Sequence, residues 1–139
     1  MDELNKGELV IYINSDDEIK IEAFFYNETI WLTLNKLSEL FQKDKSTISE
    51  HIANIYDEGE LSRDATVGNF PTVQDEGSRS VTRNIDYYNL DLIIAVGYRT
   101  NSKEATKFRQ WSTEVLKSYL IKGYSINKEE NKGQESNKD

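Results

Sequence analysis

The stretch LNKLSELF (34–41), QKD (42–44) and KSTISEHIANIY (45–56) decides the fold of this chain. Apolar residues recur at helical spacing in the two outer segments, Thr33 is a candidate N-cap, and the middle segment forms a tight break. Two short helices joined by about three residues are typical of a helix-turn-helix, whose second helix can lie in the DNA major groove. The residues expected to lock the two helices at a fixed angle are Leu37, Phe41, Ile48 and Ile52.

The outer face of the second predicted helix carries the candidate DNA contacts. Lys45 would neutralise a phosphate, while hydroxyl and amide groups would hydrogen-bond to base edges or backbone. These polar residues are Ser46, Thr47, Ser49 and Asn54. An ordinary α-hairpin packed on a sheet is the alternative interpretation.

Two features of this region count against strong DNA binding. Gln42 and Lys43 stand where the commonest helix-turn-helix has glycine and then an apolar residue. The acids Asp44 and Glu50 oppose phosphate, which weakens the electrostatic part of the affinity.

Residues 8–32, before the helix pair, predict a short β-meander. Residues 9–13 are apolar and β-rich, residues 19–25 alternate between apolar and polar, and residues 29–32 form a third strand. Polar turn residues separate these strands. Trp31, in the third strand, is expected in the core.

Residues 65–85, after the helix pair, predict a β-hairpin with its turn at residues 75–78. Pro71 places its first arm at a sheet edge. A hairpin after a helix-turn-helix can serve as a wing, and Arg79 and Arg83 would then contact DNA backbone. Alternatively, these arginines only protect an exposed sheet edge.

Two further helices complete the predicted elements. Asn89 caps a short helix that ends near Gly97, and Asn101 or Ser102 caps a long helix that ends at residues 122–123. Glu104 stands where a capping box has an acid. Lys103 and Lys107 on the long helix either contact phosphate or form a solvated face. Its apolar stripe, which includes Trp111, predicts core or the seam of a homodimer.

The charge is distributed unevenly along the 139 residues, which suffice for one domain. The net charge is -8, yet residues 1–78 carry 6 basic and 17 acidic side chains, whereas residues 79–122 carry 8 basic and 4 acidic ones. The net charge therefore argues against a generic polyanion binder, while the asymmetry allows one positive face. The final residues, from 127, lack apolar side chains and predict a disordered tail.

The composition argues against an enzyme or a metalloprotein. The chain has no cysteine and a single histidine, His51, whose helical neighbours cannot build a catalytic triad. The glycines are too scattered for a phosphate-binding loop. We expect no metal, no cofactor and no small-molecule substrate. With no leader and no membrane span evident, we expect a cytoplasmic protein.

Three motifs, in order, resemble the RhuM family of bacterial proteins, often labelled virulence proteins. They are TIWLTLNKLSELFQKDKSTISEHIANIYDEGEL, DYYNLDLIIAVGYR and NSKEATKFRQWSTEVLKSYLIKGYSIN, and the resemblance spans residues 8–127. The last motif, with its FRQW core, is also similar to phage-type Bro-N antirepressor domains. The resemblance implies a DNA-binding module. Some members continue into a region related to Fic-type proteins, so we expect this chain to correspond to the amino-terminal module alone.

These observations together predict an α+β, winged-helix-like domain over residues 1–125, followed by a disordered tail over residues 126–139. The domain would contain a β-meander, a helix-turn-helix, a β-hairpin wing and a long C-terminal helix. Its predicted role is sequence-specific binding of double-stranded DNA in transcription regulation, as a possible homodimer. The alternative is a protein-interaction or assembly module that does not bind DNA.

Overall fold

The computed structural model describes residues 7–14 and 19–134, with side chains described as far as Ile121. The strands are β1 (Glu8–Ile13), β2 (Lys20–Tyr26), β3 (Thr29–Thr33), β4 (Val67–Glu76) and β5 (Arg79–Asn89). The helices are α1 (Leu34–Phe41), α2 (Lys45–Asp57), α3 (Arg63–Thr66), α4 (Leu90–Arg99) and α5 (Lys103–Gln134). The predicted α+β class is confirmed.

The strands form one antiparallel sheet in the order β1-β2-β3-β5-β4. The predicted meander is confirmed as β1, β2 and β3, although residues 15–18 of its first turn lie outside the described residues. Asn27 and Glu28, between β2 and β3, have φ of 53° and 65°. Positive φ at both central residues matches the twist of a tight hairpin, which explains the abrupt reversal.

The main core lies between the helices and one face of the sheet, here called the inner face. Ile21, Ile30 and Leu32 point from the strands into this core and are at most 1% exposed. Leu92, Ile93 and Phe108, on α4 and α5, are fully buried in the same cluster.

The opposite, outer face of the sheet carries a second, aromatic cluster. Trp31, Phe70 and Tyr87 are buried there, and the partly buried residues packed on them also come from the sheet. The Trp31 indole N–H donates to the Tyr26 carbonyl oxygen over 2.9 Å. Trp31 is therefore buried as predicted, but in a cluster separate from the main core.

The predicted pair of helices is confirmed as α1 and α2, joined by residues 42–44. Thr33 caps α1, since its hydroxyl accepts from the Lys36 N–H over 3.3 Å. Gln42 adopts the left-handed conformation, with φ of 55°, that glycine commonly supplies at this position. The predicted locking residues are all buried: Leu37, Phe41, Ile48 and Ile52.

The hairpin formed by β4 and β5 is confirmed, but a winged-helix topology is not evident. Its base joins the sheet, because Tyr87–Asn89 of β5 pair with β3. Residues 69–86 pair only with each other among the described strands and form a two-stranded extension, here called the ribbon. The first predicted arm also began too early. Residues 63–66 form α3 instead, capped by the Ser62 hydroxyl.

The last two helices differ from the predicted ones at their ends. Asn89 caps α4 as predicted, but Gly97 lies inside α4, which continues to Arg99. Of the two predicted caps of α5, the structure shows Ser102, whose hydroxyl accepts from the Glu104 N–H over 3.0 Å. The Glu104 carboxylate accepts from the Tyr12 hydroxyl over 2.6 Å, so it links α5 to β1.

The long helix α5 does not end at residues 122–123, because its backbone continues to Gln134. A single glycine weakens a helix by about 1 kcal/mol without ending it. The disorder predicted for residues 126–139 stays a prediction, and residues 135–139 lie outside the described residues.

Candidate nucleic-acid interface

The exposed face of α2 brings together four of the five residues predicted there. Lys45, Ser46, Ser49 and Asn54 are exposed. Thr47 is less exposed than these four, being half-buried, and its N–H donates to the Asp44 carboxylate over 3.2 Å. Ser46, Ser49 and Asn54 have short side chains, whereas Glu50, which is also exposed on α2, has a longer acidic one.

The opposite face of α2 fixes the helix to the body of the domain. Ile48 and Ile55 are fully buried and Ile52 is 6% exposed, at the spacing of one helical stripe. Near the C-terminal end, the hydroxyl oxygens of Tyr56 and Thr66 lie 2.7 Å apart. This hydrogen bond joins α2 to α3.

Arg99, at the end of α4, holds the segment that follows α2. Its guanidinium contacts the Glu58 carboxylate at 2.6 Å and the Glu60 carboxylate at 2.9 Å. The hydrogen bond from Arg99 keeps the pKa of Glu58 below its ordinary value. The charge of Arg99 is therefore already paired with acids, although Arg99 belongs to the net positive residues 79–122.

The two acids near α2 have different surroundings. Asp44 is the N-cap of α2, and its hydrogen bonds with Thr47 hold its pKa below the ordinary value. A negative charge at this end of a helix also complements the helix dipole. Glu50, by contrast, is exposed on the side of α2 opposite the buried isoleucines, about 140° around the helix from Lys45.

The two arginines of the ribbon also differ. Arg83 forms a bidentate pair with Glu76, with distances of 2.6 Å and 2.8 Å, and this pairing lowers the pKa of Glu76. Arg79 is exposed at the start of β5, beside the turn. The charge of Arg83 is thus already balanced within the ribbon.

The first turns of α5 lie beside the end of α1. A Cβ placed on Gly97 would lie 2.5 Å from the Ala105 Cβ and 3.0 Å from the Phe41 ring, so these two residues flank the same point of α4. Lys103 and Lys107 are exposed on this part of α5. They lie two residues before and after Ala105, about 160° around the helix from it, so they face away from this contact.

The ribbon is linked to α2 only indirectly. Arg63 of α3 contacts Asp86 at 3.1 Å, and α3 in turn contacts the C-terminal end of α2. Among the described residues, α2 packs mainly on α1 and α4. The structure thus groups the predicted α2 residues, while Arg79 and Arg83 lie on a separate element.

Two surface clefts contain polar residues that the sequence did not single out as contacts. A cleft of about 470 Å³ beside the helix-turn-helix turn includes Lys20 and Lys43. A second, of about 460 Å³, lies between the start of α1 and the ribbon and includes Asn35, Asn69 and Asn84. Lys43 was visible as a cation in the turn, whereas only the fold brings Lys20 next to it.

Trp111, the predicted centre of a homodimer seam, packs within the chain. Its ring centre lies 5.4 Å from that of Tyr12 and 5.2 Å from that of Phe108. Among the α5 side chains that the structure describes, as far as Ile121, the exposed large apolar ones are Leu120 and Ile121. A homodimer through α5 stays a prediction.

Other kinds of site receive little support in the described part of the chain. His51 is half-buried on α2. Among the side chains of residues 7–14 and 19–121, no group of histidine and acidic residues is arranged to hold a metal ion. Over the same residues, no helix combines the length and apolar character needed to cross a membrane.

The comparisons with known proteins give one match. Searches of curated proteins and of solved structures found none. A family model described as "Virulence protein RhuM family" matches residues 65–139, which are 75 of the 139 residues. The match covers the ribbon, α4 and α5, while α1 and α2 lie before it. It gives no support to a Bro-N segment, so that resemblance stays a prediction. The chain belongs to the RhuM family of virulence proteins.

Proposed function

We propose that this protein binds duplex DNA, with α2 lying in the major groove. The observation that carries the proposal is the exposed surface of α2, which presents Lys45 and three short polar side chains on a helix fixed from behind by buried isoleucines. Ser46, Ser49 and Asn54 can hydrogen-bond to base edges, and their short side chains allow the helix to enter deeply.

Cations near the helix pair supply the phosphate contacts in this proposal. Lys43 and Lys45 flank Asp44 at the start of α2, and Lys103 and Lys107 lie on the part of α5 next to α1. The ribbon would add Arg79, while Arg83 must first leave Glu76. We therefore expect modest affinity that depends strongly on salt.

The biological role that we propose is regulation of transcription, of the kind found in phages and mobile elements. The surface of α2 that we propose for DNA binding is the feature that supports this role. We assign no catalytic activity to the chain.

A protein-interaction or assembly role is the second candidate. It is favoured by three exposed aliphatic residues on β1: Leu9, Ile11 and Ile13. A surface of this kind suits a protein partner better than nucleic acid.

The first proposal can be tested by selecting the duplexes that the protein binds from a random pool. The affinity for these duplexes is then measured by fluorescence anisotropy at several salt concentrations. We expect Lys45→Ala to lower the salt dependence by about one phosphate contact. Asn54→Ala should weaken binding to selected duplexes more than to unselected ones. Lys117→Ala, an exposed lysine further along α5, is the charge-matched control.

Two results would contradict DNA binding through α2. One is the absence of measurable binding at low salt. The other is an equal loss of affinity in Lys45→Ala and Lys117→Ala, which would indicate a general charge effect.

A further inference from the structure

Strand β1 forms one edge of the sheet and pairs with β2 on one side only among the described residues. Its outer-face side chains are all aliphatic and about half exposed: Leu9 at 51%, Ile11 at 47% and Ile13 at 45%. An edge strand offers unpaired N–H and C=O groups, here next to a continuous apolar row.

This edge lacks the usual protection against pairing with another strand. Natural edge strands commonly carry lysine, proline or an inward-pointing charge. β1 has the sequence ELVIYI, in which the first residue, Glu8, is the sole charged one. The Glu8 carboxylate already accepts a hydrogen bond from the Tyr119 hydroxyl.

We propose that two copies of this chain pair through antiparallel β1 strands centred on Ile11. The apolar row is symmetric about this residue, so Ile11 of one copy lies opposite Ile11 of the other. Leu9 then lies opposite Ile13 of the second copy, and the three pairs extend the apolar row across the junction.

The charges allow this register. Glu8 of one copy lies opposite Asn14 of the other, so no like charges face each other across the new strand pair. On the inner face, Val10 lies opposite Tyr12, whose hydroxyl is already bonded to Glu104. A two-fold axis at Ile11 therefore brings together groups that tolerate each other.

The position of α5 extends the contact beyond the strands. α5 packs on β1 through Tyr12 and on β2 through Phe25, whose ring centre lies 4.0 Å from that of Tyr119. Its axis thus lies over both strands, and the two α5 helices of the pair would be separated by about two strand spacings, roughly 10 Å. That is close to the distance at which helices pack, about 8–10 Å.

The area that the two copies bury against each other determines how stable the dimer should be. Three half-exposed side chains per copy supply only part of the roughly 800 Å² per partner that is typical of stable interfaces, and contact between the α5 helices adds to it. We therefore expect a reversible dimer that dissociates on dilution. This inference does not depend on DNA binding.

Sedimentation velocity over a wide range of protein concentrations tests the dimer. We expect the wild-type chain to reach twice the mass of one chain at high concentration. Ile11→Lys should raise the dissociation constant at least about tenfold, because a charge then faces its own copy across the axis. Val73→Lys is the matched control, since Val73 is a similarly exposed aliphatic residue, at 55%, on the ribbon.

Cross-linking gives an independent test that needs no disruptive substitution. The chain has no cysteine, so Ile11→Cys introduces a single thiol that would face its counterpart in the second copy. We expect mild oxidation to give a covalent dimer faster for Ile11→Cys than for Val73→Cys. A wild-type chain that stays monomeric at every concentration, or equal cross-linking of the two variants, would overturn the proposal.

Discussion

Asp44 caps α2 and also places a negative charge at the end of the helix that we propose enters DNA. An asparagine at this position keeps a cap of similar strength but removes the charge. We expect Asp44→Asn to lower the thermal midpoint only slightly, because the cap is kept while the favourable charge is lost, and to raise the affinity for duplex DNA several-fold at low salt, as measured by fluorescence anisotropy.

Asp44→Ala separates the two roles of this residue. It removes both the charge and the cap, so its thermal midpoint should fall below that of Asp44→Asn. Weaker DNA binding by the folded Asp44→Asn variant would show that the carboxylate itself contributes a contact.

The sequence predicted that Gly97 lies near the end of α4. In the structure it lies inside the helix, where its neighbours leave no room for a methyl group. A methyl group there would lie 2.5 Å from the Ala105 Cβ, which is closer than two non-bonded carbon atoms can approach. We expect Gly97→Ala to lower the free energy of unfolding by about 1–3 kcal/mol, measured by urea denaturation, because overpacking outweighs the better helix propensity. Ser118→Ala, on the exposed face of α5, is the control. Equal or greater stability of Gly97→Ala would contradict this packing.

Local residue roles were predictable, whereas pairings between distant residues were not. Thr33 and Asn89 cap their helices as predicted, since each cap depends on a neighbour three residues away. Arg99 pairs with acids 39 and 41 residues before it, so only the folded chain shows that contact. The predicted DNA contacts of α2 were inferred from local helical periodicity, whereas the pairing of Arg83 with Glu76 depends on how β4 and β5 align.

The ribbon is the element whose contribution to DNA binding can be tested most directly. Glu76 neutralises Arg83 within it. We expect Glu76→Gln to free the guanidinium and strengthen DNA binding at low salt, with a steeper dependence on salt. Glu22→Gln, an exposed acid on β2, is the charge-matched control. If the two variants behave alike, the ribbon makes no specific contribution.

The elements themselves were largely predictable from periodicity and turn residues. The exceptions have physical causes. α3 spans only Arg63–Thr66, which is too short to show a helical period. The hairpin was predicted as a wing, but its place in the sheet was not predicted: Thr33 pairs with Tyr87, and this alignment of residues from distant segments cannot be inferred from either strand alone.

Across the whole molecule, the distribution of charge in the sequence overstates the charge available for binding. Arg83 and Arg99 belong to the positive segment, yet they pair with Glu76, Glu58 and Glu60 from the acidic segment. Folding therefore neutralises part of the asymmetry.

These hydrogen-bonded acids also predict how the stability of the molecule changes with pH. The pKa values of Asp44, Glu58 and Glu76 are all lowered by hydrogen bonds in the folded state. Their contribution is complete above the ordinary carboxyl pKa of about 4 and is lost as the pH falls through the lower folded values. We expect urea denaturation, followed by tryptophan fluorescence, to show falling stability below that pH.

The variant with Asp44→Asn, Glu58→Gln and Glu76→Gln is the comparison for this prediction. It should be less stable near neutral pH and should lose less stability on acidification. An identical pH dependence in both proteins would show that other carboxyls govern acid unfolding.

The part of the ribbon beyond Phe70 and Ile85, which pack in the cluster with Trp31, can change length without disturbing the rest of the fold, because residues 69–86 pair only with each other among the described strands. Side chains alternate between the two faces of a strand, so one extra residue in each arm would exchange the faces of everything nearer the tip. Two extra residues in each arm would leave every face as it is. We therefore expect viable insertions and deletions in this hairpin to come in even steps, and the reach of Arg79 to be adjustable independently of the core.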